Sequence, residues 1–283
     1  MLNNYTKHFY MKHVVSGINL LEPQVMAIVN VTPDSFYAAS RKYSVQSLDE
    51  HVATALRQGA TIFDVGGYST RSGAECVSLE EEWRRVELGA SAVRNQTNLP
   101  ISIDTFRAEI AARAAERFGE VIINDISAGE ADGQMVGVVA ANGLPYVAMH
   151  MRGTPQNMQS LTDYPRGVVC EVAEYLEQRL EWLGGQGVER VILDPGFGFA
   201  KTIEQNYQLL AGVERVVALG VPVLVGLSRK SMIYKLLGIT PEESLAATSA
   251  LNLFALERGA TILRVHEVRE AVDVVKLYKT MSL

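Results

Sequence analysis

Eight short apolar runs in this chain end in residues that can do chemistry. Asn30 closes the first, in Asn30-Val-Thr-Pro-Asp-Ser-Phe36. The second leads into Asp64-Val-Gly-Gly-Tyr-Ser-Thr70-Arg71, the third into Asp104-Thr105 and the fourth into Asn124-Asp125. The fifth ends in Met149-His150-Met151 and the sixth in Asp194-Pro-Gly-Phe-Gly-Phe-Ala-Lys201-Thr202. The last two run into Ser228-Arg229-Lys230-Ser231 and Arg264-Val-His266. Carboxylates close runs three and six, whereas Arg229, Lys230, Arg264 and His266 follow runs seven and eight. Gathered at one mouth, they offer an anion site facing acid residues. That suits a substrate with an anionic group and a hydrogen-bond-donating or cationic part.

Each residue alone has a plainer reading. An Asp at a strand end is often a helix cap. A lone Arg can pair with a surface carboxylate. His150, flanked by methionines on an apolar run, reads as a satisfied core histidine rather than a ligand. The chain has five His, none at metal-ligand spacing, which argues against a zinc site. The Gly196–Thr202 stretch fails as a phosphate loop, because Ala200 stands where that pattern needs Gly before Lys-Ser/Thr. These plainer readings weaken together, since every run ends in polar or charged residues.

The elements that must position these residues follow from a repeated pattern. A Gly precedes a short run rich in Val and Ile at Gly59, Gly119, Gly143, Gly187, Gly220 and Gly259. Val25–Asn30 and Pro100–Asp104 have the same shape without the leading Gly. Runs apolar on both faces are what strands buried on both sides of a parallel sheet require. Between them, Ser47-Leu-Asp-Glu50, Ser78-Leu-Glu-Glu81 and Thr202-Ile-Glu-Gln205 read as capping boxes. Thr240-Pro241 places Pro at a first helical position. Each recurrent Gly then serves as the preceding helix's C-cap. Strand and helix alternating eight times predict an α/β fold, a (β/α)8 TIM barrel over residues 1–283 as a single domain. An open doubly wound sheet is the alternative. Val14–Leu21, with Ser-Gly at its bend, is expected to form an N-terminal hairpin closing the barrel bottom.

Composition limits the partners. The chain has 283 residues, 26 Lys+Arg against 32 Asp+Glu, and a net charge of −6. A mildly acidic chain is a poor match for nucleic acid. Its two cysteines, Cys76 and Cys170, make no disulfide framework, which fits a reducing compartment. The N-terminus lacks an apolar block with a cleavage site, and no apolar run is long enough to span a bilayer. A cytoplasmic protein without membrane or nucleic-acid partners is expected.

With these motifs in order from Val25 to the C-terminus, the sequence resembles the dihydropteroate synthases of folate biosynthesis. The resemblance implies condensation of 6-hydroxymethyl-7,8-dihydropterin pyrophosphate with p-aminobenzoate, in the presence of Mg2+, to give 7,8-dihydropteroate and pyrophosphate. It implies a pterin-binding set of Asp104, Asn124, Met149, Asp194 and Lys230. Asn30, Thr70, Arg264 and His266 become pyrophosphate contacts, with Asn30 also holding Mg2+. Phe36, Arg71, Ser72, Phe199 and Ser228 become p-aminobenzoate contacts. Asp104, Lys230, Arg264 and His266 carry the chemistry. Sulfonamides are implied as competitive inhibitors. A homodimer is implied through the helices Ser231–Leu237 and Glu242–Glu257.

The chain departs from the family in three loops. Tyr37-Ala-Ala-Ser40 replaces a common Ser-Asp-Gly-Gly, and Ser72 replaces a common Pro. Ala200 replaces a common Gly. The Ser72 change is expected to alter the KM for p-aminobenzoate or the affinity for sulfonamides. Two other readings are a catalytically silent pterin-binding paralogue and a methyltetrahydrofolate barrel of the corrinoid methyltransferase type. The cations after runs seven and eight argue against the latter, which needs no pyrophosphate site.

Overall fold

The apolar runs form strands because their Val, Ile and Ala side chains can be buried on either face. A computed structural model describes residues 13–31, 45–68 and 77–281. Its barrel strands are β3 (Gln24–Asn30), β4 (Ile62–Gly66), β5 (Ile101–Asp104), β6 (Ile122–Asp125), β7 (Tyr146–Met149), β8 (Val191–Asp194), β9 (Leu224–Val225) and β10 (Ile262–Val265). They pair in parallel, in the order β8-β7-β6-β5-β4-β3-β10-β9. A bridge between Leu193 and Val223, with Leu193 N donating to Pro222 O at 2.9 Å, joins the two outermost strands. The sheet therefore closes, helices follow the strands, and the fold is a (β/α)8 barrel rather than an open sheet.

Strand alternation sorts the side chains. Phe63, Val65, Ile101, Ile103, Ile123 and Leu263 face outward into the cluster shared with the helices. Met26, Ile62, Ile122, Val147, Ile192, Leu224 and Ile262 form a separate inner cluster. Successive inward positions lie two residues apart. One step along each strand therefore leads from Ile62 to Asp64, Ile122 to Asn124, Val147 to Met149, Ile192 to Asp194 and Ile262 to Arg264. The lower barrel is greasy, and its upper layer is polar.

The inner cluster closes at the bottom against Val15, Ile18 and Leu20 of an N-terminal hairpin. Its strands are β1 (Val14–Val15) and β2 (Ile18–Asn19). Ser16 and Gly17, with φ of 46° and 82°, make the turn. Two residues of positive φ match the strand twist of a tight hairpin. The expected plug is thus present.

The recurrent glycines also behave as expected. Those at 59, 119, 143, 187, 220 and 259 all have positive φ between a helix and the next strand. Ser78 caps the helix Leu79–Arg94 by accepting from Glu81 N. Thr202 and Gln205 complete a reciprocal capping box. Two helix starts differ from expectation. The helix Val45–Gln58 begins upstream of Ser47, so Ser47 lies in its first turn and is not its cap. Pro241 precedes a 3-10 turn, Glu242–Ser244, and the α-helix starts only at Leu245. Thr240 and Glu243 still exchange backbone-to-side-chain bonds across that turn.

Gly89 sits mid-helix where Leu79–Arg94 crosses the barrel wall. A Cβ there would lie 2.6 Å from Val65 Cγ1 and 2.8 Å from Val31 Cγ2. In an open helix, Gly→Ala stabilises by about 1 kcal/mol. Here overpacking of about 1–3 kcal/mol should outweigh that gain. Gly89→Ala is expected to lower the urea midpoint at constant m, and a raised midpoint would contradict this packing.

Candidate active site

Arg264 organises the polar layer. It reaches up from β10 and donates from Nε to Asp64 Oδ2 at 2.6 Å and from Nη2 to Asp104 Oδ2 at 2.9 Å. A surface pairing is thereby excluded, since Asp64 is fully buried. Asn124 Nδ2 donates to both Asp64 oxygens, at 3.2 and 3.3 Å. Burial pushes the Asp104 carboxyl up to about 7, with Arg264 opposing and Asp64 reinforcing the shift. Burial also works against the Arg264 charge, but Asp64 and Asp104 outweigh it and raise its pKa.

The sequence placed Asp64 at the end of the second run but gave it no role in the site; β4 runs on to Gly66, so Asp64 lies inside the strand. The available signal was its parity. It shares the inward face of β4 with Ile62, and a carboxylate there must have a partner inside the barrel. Asp64→Asn keeps the shape and removes the charge. It also turns an amide N–H toward donors on Arg264 or Asn124. It is expected to weaken affinity for a ligand held at this mouth roughly 10–100-fold, about 1.4–2.8 kcal/mol. Calorimetry on the folded variant checks this, and unchanged affinity would remove Asp64 from the site.

Across the mouth, Asp194 ends β8 and accepts from Gly196 N at 2.7 Å. Burial raises its pKa, against the opposing charge of Lys230. Lys230 Nζ donates to Phe197 O and stands 5.0 Å from the Phe199 ring centroid. Burial lowers its pKa to about 8, with Asp194 resisting. Phe199 and Phe106 pack on Ile126, Met149, Met151, Met158 and Ala200, an apolar wall beside the charges. Ser228 Oγ lies 3.1 Å from His266 Nδ1 and donates to Glu267 Oε2 at 2.8 Å. Arg229 is exposed and pairs with Glu267 instead of joining the anion site.

Asn30 ends β3, where Gly66 leaves room beside it. A Cβ on Gly66 would lie 3.2 Å from Asn30 Oδ1 and 3.6 Å from Asp104 Oδ2. Among the described residues, no three His, Cys, Asp or Glu side chains gather as a metal cluster. A cation at Asn30 would thus need ligands from the substrate and water, which suits a hard ion that retains its waters. Phe36, Thr70, Arg71, Ser72 and the Tyr37–Ser40 segment lie outside the described residues.

A buried shell holds the strand ends. Glu82 accepts from Thr105 Oγ1 at 2.7 Å and Arg107 Nη1 at 2.8 Å, directly behind Asp104. Burial raises the Glu82 pKa while Thr105 and Arg107 oppose it. Asp125 faces outward and accepts from Tyr146 Oη at 2.7 Å and Ser127 N at 2.8 Å. His150 is buried and hydrogen-bonded to Lys201, as its core reading required. A cavity of about 390 Å³ opens nearby, lined in part by Glu130, Arg152, Glu171 and Tyr175. Its charges are already paired, as in Arg152–Glu171 at 2.6 Å. Asp104, Asn124, Asp194, Lys230 and Arg264 do not line it, so the chemistry belongs to the barrel mouth.

A closed eight-stranded barrel with a polar layer at its C-terminal strand ends has the plan of a (β/α)8 enzyme. The family described as pterin binding enzyme matches residues 26–266. A dihydropteroate synthase from Synechocystis sp. is 42% identical over 256 residues, covering 89% of this chain and 88% of that protein. The dihydropteroate synthase of Xanthomonas albilineans, solved with 4-aminobenzoic acid, superimposes with a TM-score of 0.86 at 40% identity, covering 94% of this chain and 96% of the other. That of Yersinia pestis, solved with a sulfonamide drug, gives 0.87 at 36% identity, again covering 94% and 96%. The chain belongs to the dihydropteroate synthase family of pterin-binding enzymes, transferases of folate biosynthesis.

Proposed function

We propose that the barrel mouth joins 6-hydroxymethyl-7,8-dihydropterin pyrophosphate to p-aminobenzoate by an SN1-like substitution. The observation that carries this reading is the Asp64–Arg264–Asp104 chain beside Asn124 and Asp194. Asp194 accepts paired N–H groups from the pterin's amino-pyrimidine edge, as a carboxylate accepts a guanidinium. Asn124 commits an N–H to Asp64, and its amide oxygen accepts from the same rim. Met149 and the apolar wall cover the ring's face, and Lys230 binds its polar edge.

Arg264 and His266 oppose the charge that grows on the pyrophosphate as the C–O bond breaks. Asn30 would hold Mg2+, which would supply positive charge to neutralise the leaving group. Pyrophosphate departs with the electron pair and leaves a cation on the pterin methylene, which the Asp104 carboxylate stabilises. The neutral arylamine, seated against Phe199 and Ser228, attacks that carbon and loses its proton to pyrophosphate or water. No strong general base is needed, because an aniline nitrogen is uncharged near neutral pH. Thr70 serves as a further pyrophosphate contact, and Phe36, Arg71 and Ser72 border the arylamine site. Sulfonamides would compete there, as the Yersinia complex suggests.

A homodimer is part of the proposal. Leu236 and Leu237, 57% and 52% exposed on the helix Ser231–Leu237, supply apolar surface for it. Among the described residues, no helix is long and apolar enough to cross a membrane. The cytoplasmic assignment rests on cysteine usage.

Pyrophosphate release by the purified protein, with dihydropterin pyrophosphate and Mg2+, tests the reaction. Release that requires p-aminobenzoate and matches dihydropteroate formation is expected. Pterin binding without release would indicate the silent paralogue.

A further inference from the structure

Lys201 has no part in the reaction above, yet it is almost fully buried. Its Nζ lies 3.0 Å from His150 Nδ1, 2.9 Å from Gly196 O and 3.0 Å from Phe199 O. Both carbonyls can only accept. A neutral His150 with its proton on Nε2 also accepts at Nδ1, so three acceptors match the three N–H groups of an ammonium. Burial drives the His150 pKa down to about 2, with Lys201 adding to the shift, which keeps the imidazole neutral. Burial also pulls the Lys201 pKa down, against the charge of Asp194.

The three contacts tie one loop to one strand end. Gly196 packs so closely on β7 that a Cβ would lie 1.9 Å from His150 O. The two ends of the loop are held differently. Asp194 is a ladder residue: it pairs with Met149, and its carbonyl accepts from His150 N at 2.9 Å. Phe199 lies beyond the ladder. Its backbone bonds to Gly196 within the turn, and its carbonyl goes to Lys201.

We propose that Lys201 is a positioning residue for the arylamine half of the site, fixing the Phe199 ring by docking the Gly196 and Phe199 carbonyls on His150. The proposal rests on the reading that Phe199 lines the p-aminobenzoate site. It separates two functions of one loop. The Asp194 backbone is set by the strand, with Gly196 N holding its carboxyl at 2.7 Å, and the arylamine end is set by a buried lysine. Lys230 grips the same loop from the substrate side through Phe197 O, so Lys201 acts from behind the reacting groups.

The test compares Lys201→Met, His150→Leu and His150→Asn, the last keeping an acceptor near Nδ1. The KM for p-aminobenzoate is measured beside the affinity for 6-hydroxymethylpterin, which lacks the leaving group. Lys201→Met and His150→Leu are expected to raise the KM tenfold or more while pterin affinity stays within threefold. His150→Asn should stay within threefold on both. If Lys201→Met fails to fold, the two His150 variants carry the comparison. Equal losses on both ligands, or a lower melting temperature with an unchanged KM, would overturn the proposal and leave Lys201 a strut of the fold. Phe199→Ala separates the two readings. An unchanged KM there refutes the arylamine site itself, whereas a raised KM beside a silent Lys201→Met refutes only the positioning role.

Discussion

Arg264→Met is expected to lower kcat about 10²–10³-fold, the usual loss when one preorganised group facing developing charge is removed. Met keeps the unbranched apolar stem and removes the guanidinium, so the loss reports the charge together with its hydrogen bonds to Asp64 and Asp104. Stability should also fall. Removing the guanidinium leaves Asp64 and Asp104 as neighbouring carboxylates without their shared cation. Breaking a buried pair costs about 3–5 kcal/mol, and a 23% exposed Arg264 side chain places the loss at the lower end. Without Arg264 the Asp104 pKa rises further, so protonation on acidification should restore part of the deficit relative to wild type. Steady-state kinetics and urea melts at two pH values check both parts. A kcat near wild type would show that Arg264 serves the fold and not the leaving group.

The second large effect is a bell-shaped dependence of kcat/KM on pH. The proposed chemistry needs Asp104 ionised and Lys230 protonated; burial pushes the first up to about 7 and the second down to about 8. Activity should rise as Asp104 loses its proton and fall as Lys230 loses its own, giving a narrow maximum between. Asp104→Asn should flatten the acidic limb, and Lys230→Gln the alkaline one, each at a reduced plateau. Both variants leave the substrate's own ionisations in place. An acidic limb that survives Asp104→Asn would assign it to the pyrophosphate group. The stability consequence has a definite sign. Folded Asp104 holds a proton that the unfolded chain, near 3.8, releases. Its contribution is fully present below that value and is lost as pH rises through about 7. Folded Lys230 binds its proton more weakly than the unfolded chain, so its penalty disappears as pH rises from about 8 toward 10.5.

Much of the barrel was legible because its instructions are local. Val191–Asp194 reads as a strand from four residues, and the structure has those bounds. Thr202 and Gln205 announce a helix start by their spacing and make the expected bonds. Ser47 carries the same spacing without that role, because the preceding residues join the helix and take the start away from it. Asp104, Asn124, Asp194 and Arg264 stood out as polar residues ending apolar runs. Arg229 stood out equally and points elsewhere, because its backbone has φ of 56° and its guanidinium meets Glu267.

By itself the sequence determined which segments become strands, which residues break them, and which kinds of charge follow each strand. Those depend on neighbours a few positions apart, through side-chain alternation, capping and the freedom of glycine. Only the tertiary structure decided that Asp64 and Arg264, 200 positions apart, share a hydrogen bond. It also decided that Lys201 reaches back 51 positions to His150. Such contacts depend on how far each strand is staggered against the next around a closed barrel, and the whole ladder sets that register together. A carboxylate inside a strand shows only that it needs a partner. The closure of the barrel supplies one.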